Sequence, residues 1–263
     1  MENKPSEISG RLIIVGVVHG DPNGFERTLD ALSCLKPDLI LIELSPFGRS
    51  LRARLQKSLL RTLADSVSKA CIDLGLRSRE AQRRPEIARI RRQLCLPFEY
   101  RAARRHCARN DSRILLCDCS EFSRQWVASW PGMISPANIR SLLSNPGTAP
   151  RHEIGNAYGM AARALAAELA LADERPSSRA LESRWDSGWD RRERHLASTV
   201  WAALHALRPR NPVYLGGWRH LLLGQSPPTL RELLGIPRHR CILLPEASAA
   251  LSVPGLPRTT QSR

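Results

Sequence analysis

Two short apolar runs near the amino terminus organise the reading of the chain. Arg11 to Val18 (RLIIVGVV) is β-branched and uncharged after its first residue, and Leu39 to Leu44 (LILIEL) is similar but holds one carboxylate. Runs of this length, apolar on both faces, predict strands covered on two sides, as in a parallel sheet. Between them, His19 to Gly24 is turn-forming in composition. Phe25, Leu29, Leu32 and Leu35 then recur at helical spacing until Lys36-Pro37-Asp38 ends the helix. A strand, a helix and a second strand with so short a crossover predict a parallel pair.

The same alternation continues. Residues 49–95 read as basic helix, with one stripe at Leu51, Leu55, Leu59 and Leu63 and another at Ile87, Ile90 and Leu94. Pro97 breaks the pattern and Phe98 to Arg109 resumes it. Arg113 to Cys117 predicts a third strand, Pro212 to Gly216 a fourth and Cys241 to Leu244 a fifth. Ser135-Pro136 has the form of an N-cap followed by proline in the first helical position. Helices are expected over about 137–144, 152–173, 189–207 and 229–234, with a polar surface loop over 174–188. The expected fold is α/β: a mostly parallel sheet of about five strands flanked by helices. A basic helical insertion, about 49–110, separates the second and third strands. One domain spans 11–245, and the polar ends, 1–10 and 250–263, are expected to be disordered.

Composition narrows the class. The 263 residues, 42% of them hydrophobic, suffice for a large core without disulfides or a structural metal. Whole-chain disorder, collagen-like repeats and coiled coil are excluded. No apolar run approaches the ~20 residues a bilayer requires, and Met1 to Gly10 is polar. The seven cysteines are odd in number and form no CxxC, and Cys117 and Cys119 read as small residues at a strand end. A soluble, cytoplasmic protein with no integral membrane segment is expected.

The charge of +15 is uneven. Residues 51–113 hold 15 arginines, two lysines and six acidic residues, a local excess of +11. That segment is a candidate surface for an anionic partner, nucleic acid or anionic lipid. It carries no recognised nucleic-acid motif and few aromatics, so a solvated charged face is the simpler reading.

In open α/β sheets ligands bind beyond the carboxyl ends of the strands. Four expected strands place a polar group there: His19, Glu43, Asp118 and, through Gly217, His220. Glu43 interrupts an otherwise apolar run, and a buried carboxylate must be paired, protonated or bound to metal. His19 and His220 share a Gly-x-x-His frame, Gly16 to His19 and Gly217 to His220. Two histidines and a carboxylate suit a divalent transition metal with open positions for water or substrate. The alternative at each histidine is a hydrogen-bonded strand-end residue, and at Glu43 a salt bridge to arginine. Within Arg191 to His195, Arg192 or Glu193 is expected either to face solvent or to point into the site and hold an anionic group. Trp185 and Trp189 either flank a ligand or pack a corner.

Several blocks resemble the TraB/PrgY family, related to the Tiki and GumN proteins and to the erythromycin esterase and ChaN-like groups. Residues 16–50 (GVVHG through PDLILIELSPFGRS) are similar to its opening, with His19, Pro37-Asp38, Glu43 and Arg49 at the motif positions. Residues 98–122 resemble its next block, with Glu99 and Asp118. RRERHLA at 191–197 is similar to the ERDxxLA helix, with Arg192 and Glu193 in the basic and acidic places, and VYLGGWRHLLLG at 213–224 resembles the late Gly-x-x-His block. Cys119 stands where the family has Arg, and RRE replaces ERD. The membrane segments common at the C-terminus of bacterial members do not occur. The resemblance implies an α/β core and metal-dependent hydrolase or peptidase chemistry, with haem binding in ChaN-like relatives.

Three functions follow as expectations. The first is a hydrolase acting on a peptide or other small substrate. His19, His220 and Glu43 would bind Mn, Co or Zn, Arg192 would stabilise an oxyanion, and Glu193, Glu99 and Asp118 would orient these groups. The second is a regulatory or binding protein for haem or a peptide, without turnover. The third is an interaction protein using its basic helices.

Overall fold

The five apolar runs form one parallel sheet. In the computed structural model, which describes residues 10–145, 150–170 and 187–250, the strands are β1 (Ile13–Val17), β2 (Leu39–Ile42), β3 (Arg113–Leu116), β4 (Pro212–Gly217) and β5 (Cys241–Leu243). Their order is β3-β2-β4-β1-β5, and every pairing is parallel. Helix α1 (Gly24–Leu35) joins β1 to β2. Between β2 and β3 come α2 (Pro46–Leu74), α3 (Ser78–Ala81), α4 (Pro85–Leu94) and α5 (Phe98–Cys107). These are followed by α6 (Ser120–Ala128), α7 (Trp130–Met133), α8 (Pro136–Ser144), α9 (Pro150–Ala170) and α10 (Ser187–Leu207). Helix α11 (Leu230–Leu234) precedes β5 and α12 (Leu244–Ala250) follows it.

The interior strands β2, β4 and β1 are almost wholly buried, which is why they read as unbroken apolar runs. Their side chains form the main core with Leu32 of α1, Ala103 of α5, Leu165 of α9 and Val200 of α10. A second apolar cluster lies among the helices alone. Leu63 and Val67 of α2 meet Ile87 and Leu94 of α4, Trp130 of α7 and Ile139 of α8 there. The Leu51 and Ile87 stripes therefore serve this helical cluster rather than the sheet. No helix among the described residues is long and apolar enough to cross a membrane.

Local signals explain the boundaries. Ser45 accepts a hydrogen bond from the Gly48 amide and opens α2, with Pro46 in the first turn; Gly75 in the left-handed region (φ 64°) ends it. Ser135 caps α8 in the same way. Helices α6, α7 and α12 lie outside the expected elements. Helix α6 has only Phe122, Trp126 and Val127 as large apolar residues and buries none of them fully, while α7 is only four residues long. Helix α10 begins at Ser187 rather than Trp189. Residues 174–186 of the loop expected over 174–188, most of the amino end and the tail from 251 lie outside the described residues, and 187–188 belong to α10.

Pro37-Asp38 has a role at the amino edge of the sheet. The Asp38 carboxylate accepts from the Arg210 and Asn211 amides at 2.6 and 3.0 Å, and the Pro37 carbonyl accepts from Ser112 Oγ at 2.5 Å. These contacts fix the starts of β2, β3 and β4 relative to one another. They lie at the opposite end of the strands from His19 and Glu43.

Gly24 marks a close approach between helices. A Cβ there would stand 2.5–2.6 Å from the Phe98 ring at the start of α5. Gly24→Ala should push α5 off α1 and cost about 1–3 kcal/mol, read as a lower urea midpoint with unchanged m-value.

Candidate functional site

The chain leaves β1 and β2 toward one side of the sheet and β3 and β4 toward the other, so β4 lies between two strands whose crossovers run opposite to its own. From β1 it runs over β4 to reach β2, and from β4 it runs over β1 to reach β5. The carboxyl ends of β1 and β4 therefore flank a topological switch point, where open α/β sheets leave a crevice. His19 follows β1 there, Gly217 ends β4, and Glu43 follows β2 on the other side of β4. The Glu43 amide donates to the Leu215 carbonyl at 3.0 Å and holds that residue against β4.

The Glu43 carboxylate is the centre of the site, with 4% of its side chain exposed. Its Oε1 accepts from Arg192 Nη2 at 2.6 Å and lies 3.0 Å from His220 Nε2. Its Oε2 accepts from the Gly217 amide at 2.5 Å and lies 3.4 Å from His19 Nε2. Arg192 grips Asp118 in a two-pronged contact, Nε to Oδ1 and Nη2 to Oδ2, both 2.8 Å. Each imidazole has a carboxylate on its other nitrogen. His19 Nδ1 is 2.9 Å from Glu99 Oε1, and His220 Nδ1 is 2.7 Å from Glu193 Oε1. The second contact lies off the hydrogen-bonding axis and is ionic in character. Glu193 Oε2 accepts from the Leu230 amide at 2.6 Å.

Neighbouring rings and glycines fix this arrangement. Trp189, one turn before Glu193, stacks on His220 with centroids 5.5 Å apart and lies under the Arg192 guanidinium. Tyr214 meets the His220 ring edge-on at 6.2 Å, and its buried hydroxyl has no hydrogen-bond partner among the described residues. A Cβ at Gly217 would stand 3.1 Å from His19 Nε2 and 3.4 Å from Glu43 Oε2, so glycine is what lets β4 run this close to the carboxylate. The turn after His19 is held separately. Asp21 accepts from Arg27, from the Asn23 amide and from the Tyr158 hydroxyl, which also receives the Val18 amide.

Burial and charge oppose one another at each titrating group. Burial would raise the pKa of Glu43, but His220, Arg192 and His19 outweigh it and hold the carboxyl well below its ordinary range. Burial would lower His220, but Glu43 and Glu193 push it up to about 9. His19 is pushed up to about 10 in the same way, against burial, by Glu43 and Glu99. Its side chain is 55% exposed, so solvent screens part of that effect. Burial first, then the Glu43 charge, raise Tyr214 and keep it neutral.

Thus His19, Glu43, Glu99, Asp118, Arg192, Glu193 and His220 form one connected set of contacts. Both readings of Glu43 meet here, since it is salt-bridged and also faces two imidazoles. Arg49 stands apart, donating from Nε to the Tyr100 hydroxyl at 3.1 Å. Trp185 lies outside the described residues. Sequence reasoning did not single out Tyr214 or the Leu230 amide. The Tyr214 signal was present in the glycine at 216, where a Cβ would collide with the Tyr214 ring. The Leu230 amide has no signal in residue type.

Among the described residues no three His, Cys, Asp or Glu side chains are arranged to hold a metal ion. The chemistry of the donor set nonetheless fits one. Both imidazoles turn Nε2 toward one carboxylate while a second carboxylate holds each Nδ1, the pairing that orients histidine ligands in metal sites. With neutral imidazoles the four carboxylates exceed Arg192 by three charges, an excess that two protons or one divalent cation would reduce to one. No protein-family model, curated protein or solved structure matches this chain.

Two outcomes follow for the cation-free protein. The His220 pKa is raised on folding, so its stabilisation is complete below about 6.5 and is lost as pH rises through about 9. Glu43 acts in the opposite sense, and its contribution fades as pH falls below the ordinary carboxylate range. Urea melts in chelator should therefore show stability falling between about pH 6.5 and 9, a decline that His220→Gln flattens. Arg192→Ala, which strands Glu43 and Asp118, should cost about 3–5 kcal/mol in the same assay.

Proposed function

We propose that the protein is a hydrolase of a peptide or other small substrate that works with a divalent cation, Mn, Co or Zn, held by His19, Glu43 and His220. The observation that carries this reading is the shared orientation of the two histidines, each Nε2 toward Glu43 and each Nδ1 on its own carboxylate. The resemblance to the TraB/PrgY family at these same residues agrees with it. When bound, such a cation lowers the pKa of a water and polarises the oxygen of a scissile bond.

The remaining work falls to the chain. Glu99 and Glu193 hold the two imidazole rings in place through their Nδ1 atoms. Asp118 fixes Arg192, whose Nη1 makes no hydrogen bond among the described residues and would donate to an oxygen on which charge develops. His19, half-exposed, marks the side from which substrate and water enter. Trp189 and Tyr214 cover His220 and keep water from it, which strengthens every charge contact around Glu43.

A second reading has its own observation. Glu43 already accepts from Arg192 and from the Gly217 amide, and both imidazoles are protonated near neutrality. An ion-paired cluster of this kind also suits a binding protein without turnover.

The two readings differ in protons. Cation uptake must displace the imidazole protons, so at neutral pH binding should release between one and two protons and tighten with rising pH. Titration calorimetry with Mn, Co and Zn in buffers of different ionisation enthalpy measures this release. About one ion per chain, lost in a folded His19→Ala/His220→Ala variant, supports the hydrolase and selects the ion for a peptide-library cleavage screen. No ion bound under any loading condition overturns it in favour of the binding protein.

A further inference from the structure

Strand β3 is the outer strand of the sheet, and among the described residues nothing pairs with its free edge. The Arg113 and Cys117 amides donate to the Asp38 and Ile42 carbonyls on the β2 side, both at 2.9 Å. By the two-residue period of a strand, Ile114 and Leu116 therefore turn their N–H and C=O groups outward. A row of unpaired backbone groups of this kind is a template for another strand unless something covers it.

The ground beside that edge is not flat. The Ile114 and Leu116 side chains line a cavity of about 250 Å³ with Arg49 and Tyr100. Tyr100 also borders an adjoining cavity of about 350 Å³, whose other walls include Arg101, Arg104 and Arg105 of α5. These three arginines fall at helical spacing on one face, are exposed, and form no ion pair among the described residues. Arg49 commits Nε to the Tyr100 hydroxyl and is otherwise exposed at the cavity. An open strand edge, an apolar pair at alternate positions and four arginine side chains thus lie side by side.

We propose that this groove binds an extended acidic peptide as an added strand of the sheet. Main-chain bonds to Ile114 and Leu116 supply affinity, and apolar side chains at alternate positions of the peptide enter the cavity. Its carboxylates meet Arg49 and the arginine face of α5. The charge complementarity selects an acidic partner, and the strand edge selects a peptide over a nucleic acid, which has no main chain to pair with β3. The site is separate from the Glu43 cluster, and its occupant is independent of whether that cluster holds a cation.

The probe is a fluorescent peptide of alternating glutamate and valine, titrated into the full chain by anisotropy, with the lysine–valine peptide as control. The acidic peptide should bind and the basic one should not. Ile114→Pro removes an outward N–H without touching the bonds to β2, an allowed change on an edge strand. It should weaken binding at least about tenfold, as should Arg104→Glu/Arg105→Glu. Amide exchange in the wild-type protein gives a readout that needs no variant: the Ile114 and Leu116 amides should exchange fast when free and slowly with peptide bound. Three results would overturn the proposal. One is no binding at about 1 mM peptide. Another is loss with the charge reversal while those amides stay unprotected and Ile114→Pro binds normally. The third is a single-stranded RNA that binds more tightly than the peptide in the same buffer.

Discussion

A carboxylate at the end of a buried strand has to be answered by positive charge, and much of the site is organised around answering Glu43. A lone ionised carboxylate in that environment would be intolerable. Arg192 arrives from α10 and His220 from the turn after β4, while His19 follows β1. Each of these cations would in turn overshoot without a second acid, so Glu99, Asp118 and Glu193 stand behind them. The result is a two-layer arrangement in which every cation touches Glu43 and one outer carboxylate. Removing Arg192 leaves two buried carboxylates short of their shared partner.

The topology makes such a cluster available. Because β4 lies between β1 and β2, residues separated by 174 positions in the chain meet at one carboxylate. The main chain is itself part of the site: the Gly217 amide bonds Glu43 Oε2, and the glycine leaves room for the His19 ring. Parallel strands order all their carboxyl ends on one edge, so a substitution two strands away still lands in the same crevice. The opposite edge is closed by Asp38, which shows the division of labour within one sheet: rigidity at one end, exposed chemistry at the other.

The fold was legible because its strands are buried on both faces. RLIIVGVV and LILIEL carry no alternation to misread, and the five strands lie where these runs lie. Charge placed in an apolar run pointed to Glu43, and the repeated Gly-x-x-His frame pointed to His19 and His220. What escaped was set by tertiary contact rather than by local pattern. Helix α6 offers only a short, partly buried apolar face, and the two apolar stripes of the basic segment serve a helical cluster that sequence spacing alone could not separate from the sheet core. The role of Tyr214 leaves only an indirect trace, the glycine at 216 under its ring, and that of Leu230 rests on a backbone amide that no residue type announces.

The basic segment is best understood through α5, which faces two ways. Its inner face sends Glu99 to His19 and packs Ala102 and Ala103 into the interior, while its outer face carries Arg101, Arg104 and Arg105. Two other arginines of the segment are put to structural use. Arg52 is buried, lies over the Trp126 and Trp130 rings and bonds the Gly48 carbonyl, and Arg84 bonds the Leu143 carbonyl. Burial lowers the Arg52 pKa to about 10, against Glu99 and Asp118, which raise it, so even that guanidinium remains charged near neutrality. Arg52 and Arg84 thus hold helices together, whereas the α5 set has neither acids nor carbonyls among the described residues to satisfy it. It also sits beside β3, whose outer edge pairs with nothing among the described residues. A stretch of sequence with a uniform basic composition thus contributes scaffold in one part and an accessible, directional surface in another, and only the packing distinguishes the two.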